Sequence, residues 1–411
     1  MIHVCYGLYD GTGRYSKFTG TSILSMFENV TAPPRSVTVH LLHDDTLTAD
    51  NRDKFSYLAG QYNQIIKFYN VEKICAEEIQ QLKSLFEEQK AFKDFTIGTM
   101  FRLLMTKIFS DDIEKVIYLD SDTVVNLDIG ELWKIPLEDK ILAACTEKDQ
   151  GGLDPSGFPL CQDGFVRAED YFNAGVIVIN LERLRGSEYE NFQNGIKFIA
   201  KNPKYIWIDQ DILNYCFSKN TIKLSSKFNF SVRYRGEQNV KNKICHYLGK
   251  TLNLYRNDKF NRLWFNYFKK TLWFNEDVIF NFYEEFTKRD AELKNFAVKI
   301  SALMSGKSRA FFVEAMNIEF TKRAFYVQEG EEIIPAVNQE SVQALKETMK
   351  ATAGSKLYFI LIGNSYEIVR AELMKEGFVE GRDFINAVQF LSPIHGIPMN
   401  IYYENLLIKM L

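Results

Sequence analysis

Residues 115–126 read KVIYLDSDTVVN: an apolar run ends in two carboxylates one residue apart and then resumes as valines. Setting carboxylates beside Val, Ile and Leu is costly unless a cation or a hydrogen-bond network compensates. In extended backbone, residues i and i+2 point to the same side, so Asp120 and Asp122 can converge on one cation. Two carboxylates leave coordination positions open for water and phosphate oxygens, the usual arrangement for Mg²⁺ or Mn²⁺. A polar turn after a strand is the competing reading. Spacing alone does not separate the two, because Asp-x-Asp also arises by chance in a chain of 411 residues, and a second copy occurs at Asp209-Gln210-Asp211. A calcium loop is excluded, since Val124 and Val125 stand where a further oxygen ligand and a glycine are required.

A histidine ligand would favour Mn²⁺ over Mg²⁺, because imidazole suits transition metals. The histidines are His3, His40, His43, His246 and His395. His246 lies in KICHYLGK, an apolar strand followed by a glycine turn, where a lone histidine can equally be structural. Two phosphate-loop candidates fail. SGKS at 305–308 has Ser301 where the first glycine belongs, and GLYDGTG misses the glycine spacing of a dinucleotide fold.

The elements that must position these groups read as an α/β domain. IHVCYGL is an apolar strand and SVTVHLLH a second with period-two alternation; KFTGTSILSMFENV between them reads as a helix. TMFRLLMTKIF spaces Phe101, Leu104, Met105 and Ile108 as an amphipathic helix carrying Arg102. KVIYLD and GVIVINL (175–181) are apolar enough for strands buried on both faces. Ligands of such sheets collect beyond the carboxyl ends of the strands, where Asp120 falls. A boundary is expected near residue 265, giving a first domain over 1–265. A long helical stretch follows it, and 270–411 reads as a smaller carboxyl-terminal α/β module.

Composition sets outer limits. The apolar fraction is 46% and the charged fraction 25%, ordinary for a globular protein. A net charge of −3 gives no bulk electrostatic case for nucleic acid or an anionic membrane. No run reaches the roughly 18 apolar residues of a membrane span. The amino terminus lacks the basic head, apolar stretch and cleavage site of a signal peptide. The six cysteines are scattered without a Cys-x-x-Cys pair, so free thiols and a cytoplasmic location are expected.

The order of the pieces resembles the family 8 glycosyltransferases, retaining enzymes that include bacterial lipooligosaccharide galactosyltransferases and glycogenin. The stretches that carry the resemblance are CYGLYDGTGRY, GTMFRLLM, VIYLDSDTVV, YFNAGVIVINL, WIDQDILN, SKFNF and CHYLG, in family order over about residues 1–260. It implies a GT-A fold, a Rossmann-like mixed sheet with mostly parallel strands. It also implies a UDP-sugar donor, with Asp120, Asp122 and His246 as Mn²⁺ ligands (Mg²⁺ as the alternative ion). Tyr9, Asp10, Arg102, Asp120, Ser121, Asn173 and Ala174 match donor-binding positions, with Asp10 at the uracil or ribose. Asp209, Gln210 and Asp211 match catalytic positions around the donor sugar, Gln210 opposite the leaving phosphate and Asp211 holding donor hydroxyls or Arg102. Glu147 takes the place of an acidic residue near donor and acceptor. One departure stands out. The family continues after the histidine as Gly-x-x-Lys-Pro-Trp, whereas this chain keeps Gly249 but has Leu252, Asn253 and Leu254 for the last three, with Lys250 as a substitute cation.

The resemblance implies a hexosyltransferase acting on a glycan or glycoprotein, with galactose favoured and UDP-glucose as the alternative donor. The carboxyl-terminal module resembles, more weakly, add-on modules of streptococcal-type adhesin glycosylation systems, which implies docking of a glycosylated protein acceptor. Three other classes fit less well. A glycoside hydrolase needs carboxylates roughly 5–10 Å apart across a sugar. A nucleotidyltransferase carries a glycine-rich basic loop near its amino terminus, where this chain offers only Arg14. A binding module derived from the fold would have shed its aspartates or histidine.

Overall fold

A computed structural model describes residues 1–87, 89, 97–233, 239–248, 258–277, 280, 284, 304, 306–315, 318–325, 327–362 and 365–388. The chain divides into two compact units, Met1–Phe274 and Asn275–Leu411.

The described part of the first unit is built on strands β1 (Ile2–Leu8), β2 (Val37–His43), β3 (Ile65–Asn70), β4 (Lys115–Leu119), β5 (Thr123–Asn126), β6 (Leu142–Thr146), β7 (Phe172–Asn180), β8 (Thr221–Lys223), β9 (Phe230–Ser231) and β10 (Lys243–His246). The large sheet runs β3-β2-β1-β4-β7-β6-β8. Its β3, β2, β1 and β4 are mutually parallel, β7 is antiparallel to both β4 and β6, and β8 is parallel to β6. A small sheet, β5-β10-β9, stands apart from it. The sheet is therefore mixed and mostly parallel, as the alternation of strand and helix signals leads one to expect.

The strands form where the apolar runs are densest. Every residue of β2 is buried, so the alternation seen in SVTVHLLH does not mark a solvent face. β2 lies inside the sheet between β1 and β3, and His40 and Thr38 are buried in it with the aliphatics. The helix Arg14–Asn29 buries ten residues, and its Gly20 is required by packing: a Cβ there would collide with the indole of Trp273. The helix Lys259–Phe268 belongs to this first unit and stacks Trp264 on Phe268, while Tyr267 accepts from Asn29 and donates to Asn126. Residues 97–108 do not form the single amphipathic α-helix that their spacing predicts. Ile97–Leu104 winds as a 3₁₀ helix and Met105–Ile108 adds one α-turn. The tighter winding lets Arg102 Nε reach the carbonyl of Thr99, three residues back, at 3.1 Å.

The second unit holds a parallel sheet, β12-β11-β13-β14, from β11 (Ser308–Glu314), β12 (Glu332–Ala336), β13 (Lys356–Leu361) and β14 (Phe384–Asn386). Helices Gln339–Ala351, opened by a capping box between Asn338 and Ser341, and Tyr366–Lys375 connect its strands. Leu345, Leu373, Phe312 and Ile360 close the core on one face. Among the described residues no helix is long and apolar enough to cross a membrane.

Candidate active site

The site forms where the chain leaves one sheet and enters the other. β4 ends at Leu119, β5 begins at Thr123, and Asp120-Ser121-Asp122 is the turn between them. Thr123 Oγ1 donates to the Asp120 carbonyl at 2.8 Å, and Asp120 N–H donates to the Gly175 carbonyl at 2.7 Å. β10 pairs antiparallel with β5 and places His246 opposite Thr123, while Tyr247 N–H donates to the Asp122 carbonyl at 2.8 Å. Strand register thus delivers an imidazole to the two aspartates from far along the chain.

His246 Nε2 lies 3.1 Å from Asp122 Oδ1 and 3.7 Å from Asp120 Oδ2. It is buried, and the polar atoms it faces are those two carboxylates. The three donor atoms all fall within 4.8 Å of one another, and no other such cluster of metal-binding side chains occurs among the described residues. Burial opposes charge on the imidazole, but Asp122 and Asp120 outweigh it and hold the His246 pKa above its ordinary value. A proton or a cation is what can occupy the space between Nε2 and two carboxylates. Oxygen and nitrogen donors of this kind fit Mn²⁺ or Mg²⁺, so the residues match the ion expected of them. Gly175 keeps the place open, since a Cβ there would collide with His246 Cε1 and come within 2.7 Å of Asp120 Oδ2.

Arg102 binds the other side of this cluster. Its guanidinium donates to Asp120 Oδ1 at 2.7 Å and to the Ala174 carbonyl at 2.7 Å, lies 3.0 Å from Asp209 Oδ2, and stacks over the Tyr118 ring at 4.2 Å. Burial works against its charge, but Asp120 and Asp209 keep it protonated. Burial likewise pushes the Asp209 carboxyl up, offset in part by Arg102.

Beside the cluster opens a cavity of about 230 Å³ lined by Arg102, Asp120, Glu147, Asn173, Ala174, Gly175, Asp209 and Gln210, together with Thr99, Leu153, Phe158, Trp207, Arg233 and Leu248. Asn214 holds the helix Ile208–Phe217 against β7 by accepting from Phe172 N–H and donating to the Phe172 carbonyl, both at 2.8 Å. That anchorage sets Asp209 and Gln210 at the start of β7. Gln210 Oε1 accepts from Ala174 N–H at 3.0 Å and from Asn173 Nδ2 at 3.1 Å. Glu147, 4% exposed, accepts from Gln150 Nε2 at 2.7 Å, and burial raises its carboxyl pKa.

Several expected site residues face elsewhere. The Ser121 hydroxyl, in the turn between the two aspartates, accepts from Thr19 of the first helix at 2.8 Å. Asp211 does not hold Arg102; Asp209 does. Asp211, 1% exposed, accepts from Tyr171 Oη at 2.6 Å and Trp207 N–H at 3.0 Å, and burial pushes its pKa up to about 7. Asp10 is committed to the loop before the first helix, accepting from Ser16 N–H at 3.2 Å, from the Ser16 hydroxyl and from Asn51 Nδ2 at 3.1 Å. Tyr9 is half-buried on the same loop. Gly249 and Lys250 lie outside the described residues. Asn229, Tyr171, Trp207 and Arg233 also stand at or behind the site, without a motif of their own to mark them. Asn229, an amide set between Phe228 and Phe230, was the one among them with a visible signal, a polar residue inside an aromatic run.

Sequence and structure comparisons agree with this geometry. The glycosyl transferase family 8 profile matches residues 8–251. The chain is similar to a lipopolysaccharide 1,3-galactosyltransferase of Salmonella typhimurium, 29% identical over 245 residues, which cover 56% of this chain and 67% of that protein. A lipopolysaccharide 1,2-glucosyltransferase of Escherichia coli is 28% identical over 242 residues, covering 59% of this chain and 66% of that one. Among solved structures, an active-site mutant of LgtC shares the fold at a TM-score of 0.51 and 19% identity, covering 67% of this chain and 98% of that one. A mixed sheet of this topology with an Asp-x-Asp turn at its seam defines a GT-A glycosyltransferase. This chain belongs to glycosyl transferase family 8.

Proposed function

We propose that the chain transfers a hexose, galactose favoured, from a UDP-sugar to a glycan or glycoprotein acceptor, retaining the donor's α configuration. The observation that carries this reading is the convergence of Asp120, Asp122 and a buried imidazole nitrogen of His246, beside a cavity that also presents Asp209 and Gln210. Mn²⁺, or Mg²⁺ in its place, supplies Lewis acidity toward the departing diphosphate when bound. The three side chains hold that ion, and Arg102 fixes the geometry of Asp120 and Asp209 by pairing with both.

Gln210 faces the sugar in this reading, with Asn173 and Ala174 beside it. A double displacement needs a carboxylate on that face, and Gln210 is an amide. The neighbouring Asp209 is spent on Arg102. Attack on the same face as departure follows, with the leaving phosphate oxygen taking the acceptor's proton. Gln210 Oε1 already accepts two N–H groups, so it supports positive charge on the sugar as a clamped dipole rather than as a free acceptor. The Tyr9–Asp10 loop lies at the nucleoside, with Asp10 shaping the loop through Ser16 and Asn51. In this reading Glu147 serves donor and acceptor, while Gly249 and Lys250, outside the described residues, are assigned to the diphosphate by the family resemblance alone.

The similarity to a galactosyltransferase and a glucosyltransferase at nearly equal identity makes UDP-glucose the second reading for the donor. We assign catalysis to residues 1–265 and docking of a glycoprotein acceptor to 270–411, and, from the free thiols, a cytoplasmic location. UDP release from UDP-galactose, UDP-glucose and UDP-N-acetylglucosamine, measured with Mn²⁺, tests the donor: the largest rate is expected with UDP-galactose. A dominant rate with UDP-glucose selects the alternative, and no release from any of them refutes the transferase reading. Removing Asn275–Leu411, the second compact unit, is expected to impair transfer to a protein acceptor while sparing UDP-sugar hydrolysis; equal loss of both would assign that segment a structural role.

A further inference from the structure

We infer that Asn229 is a positioning residue for the metal centre, orienting the His246 ring so that the Nε2 lone pair faces Asp120 and Asp122. This rests on the metal reading above. The hydrogen-bond chain behind His246 has only one consistent direction, because backbone N–H groups, which can only donate, fix it. Gly175 N–H lies 3.0 Å from one atom of the Asn173 amide, so that atom is the oxygen. The Asn229 amide approaches the same oxygen at 2.9 Å, so it does so with its NH₂ group. Asn229 Oδ1 is thereby left facing His246 Nδ1 at 2.9 Å. An oxygen there accepts, hence Nδ1 carries the hydrogen, and the lone pair of the neutral ring is on Nε2.

The chain continues past Asn173. Its NH₂ group donates to Gln210 Oε1, whose identity as oxygen is fixed in turn by Ala174 N–H. The histidine of the metal cluster and the amide facing the sugar are therefore held by one line of hydrogen bonds anchored at two adjacent backbone amides of β7. The two amides directly behind the histidine are withdrawn from water, with Asn229 at 0% exposure and Asn173 at 6%, while Gln210 at the far end is only half-buried. The chemistry requires this direction. If Nδ1 lost its acceptor, the ring hydrogen would move to Nε2, which would then donate to Asp122 and have no lone pair for a cation. Ligating histidines commonly need such a partner on the other ring nitrogen, and its loss costs on the order of 10–100-fold in metal affinity.

Mn²⁺ titration of the full chain by calorimetry, for the wild type and the variants Asn229→Leu and Asn229→Asp, tests this, with melting temperatures recorded alongside. Asn229→Leu is expected to bind Mn²⁺ about 10–100-fold more weakly than the wild type. Asn229→Asp keeps an acceptor for Nδ1 but loses the donor to Asn173, and is expected to fall between the two. Wild-type affinity in a folded Asn229→Leu protein overturns the inference while leaving the metal site standing. A wild type that binds no divalent cation overturns the metal reading itself. Should Asn229→Leu not fold, ¹⁵N-histidine spectra of the wild type loaded with Zn²⁺ decide. One ring protonated at Nδ1 and metal-bound at Nε2 is expected, and a metal-bound Nδ1 is the contrary result.

Discussion

The chain carries the same three-residue pattern twice, Asp120-Ser121-Asp122 and Asp209-Gln210-Asp211, and uses it in opposite ways. The first pair sits in the turn between β4 and β5, and both carboxylates meet at His246, which β10 brings alongside β5. The second pair opens the helix Ile208–Phe217, where residues two apart differ by about 200° around the axis. Asp209 turns to Arg102 and the cavity, while Asp211 turns back to Tyr171 and the Trp207 amide. The middle residues swap roles accordingly. Ser121 points away from the site to Thr19, and Gln210 points into it. Spacing thus acquires chemical meaning only through the backbone that displays it.

The largest effect is expected from breaking the first pair. Asp122→Ala or His246→Ala removes a ligand from the cluster and should lower metal-dependent transfer on the order of 10³-fold, measured as UDP release; near-normal turnover in either variant contradicts the ligand assignment. Next is the residue that joins the two pairs. Arg102→Ala leaves Asp120 and Asp209 without their shared cation and should cost about 3–5 kcal/mol of stability in urea unfolding. A loss under 1 kcal/mol, on the order of a surface substitution, would mean that the pairing is not sustained in solution.

The second pair can be separated by pH. Asp211 titrates near 7 in the folded protein against 3.8 for the free side chain. The folded state therefore holds the proton more tightly, and this group's contribution to stability is present below pH 3.8 and is lost as pH rises through about 7. Asp211→Asn should flatten the decline in melting temperature across that window with turnover largely kept, whereas Asp209→Asn, at the cavity and on Arg102, should lower turnover as well. If the two variants exchange these behaviours, the assignment of the two faces is reversed. The smallest effect belongs to Ser121→Ala, which loses one buried hydrogen bond to Thr19. It should cost about 1 kcal/mol with Mn²⁺ affinity unchanged, and a tenfold loss of affinity would place the hydroxyl in the site after all.

How much of this could be read in the sequence follows the same division between local and distant. Apolar runs such as KVIYL and GVIVINL become strands because they are buried on both faces, whereas Asp120 and Asp122 converge from the turn between β4 and β5 and not from the extended backbone that their spacing suggests. His246 joins them through the register of β10 on β5, which spacing along the chain does not encode; the family resemblance, not the residues, connected them. Asp211 and Ser121 were assigned to the site because motif positions were carried over without the helix and turn that aim them. The 3₁₀ winding of Ile97–Leu104 is not reported by its apolar spacing, which fits an α-helix as well. Asn229 stands out locally as an amide between two phenylalanines, but its partner His246, like the partner of Asn214 on β7, is distant in sequence and has no local signal.

One measurement bears most directly on the central claim that Asp120, Asp122 and His246 hold a divalent ion used in sugar transfer. It is UDP release from UDP-galactose by the wild-type protein in the presence of a chelator, followed by addition of excess Mn²⁺. The account predicts that release stops with the chelator and returns with Mn²⁺. Release that continues unchanged in the chelator would contradict it.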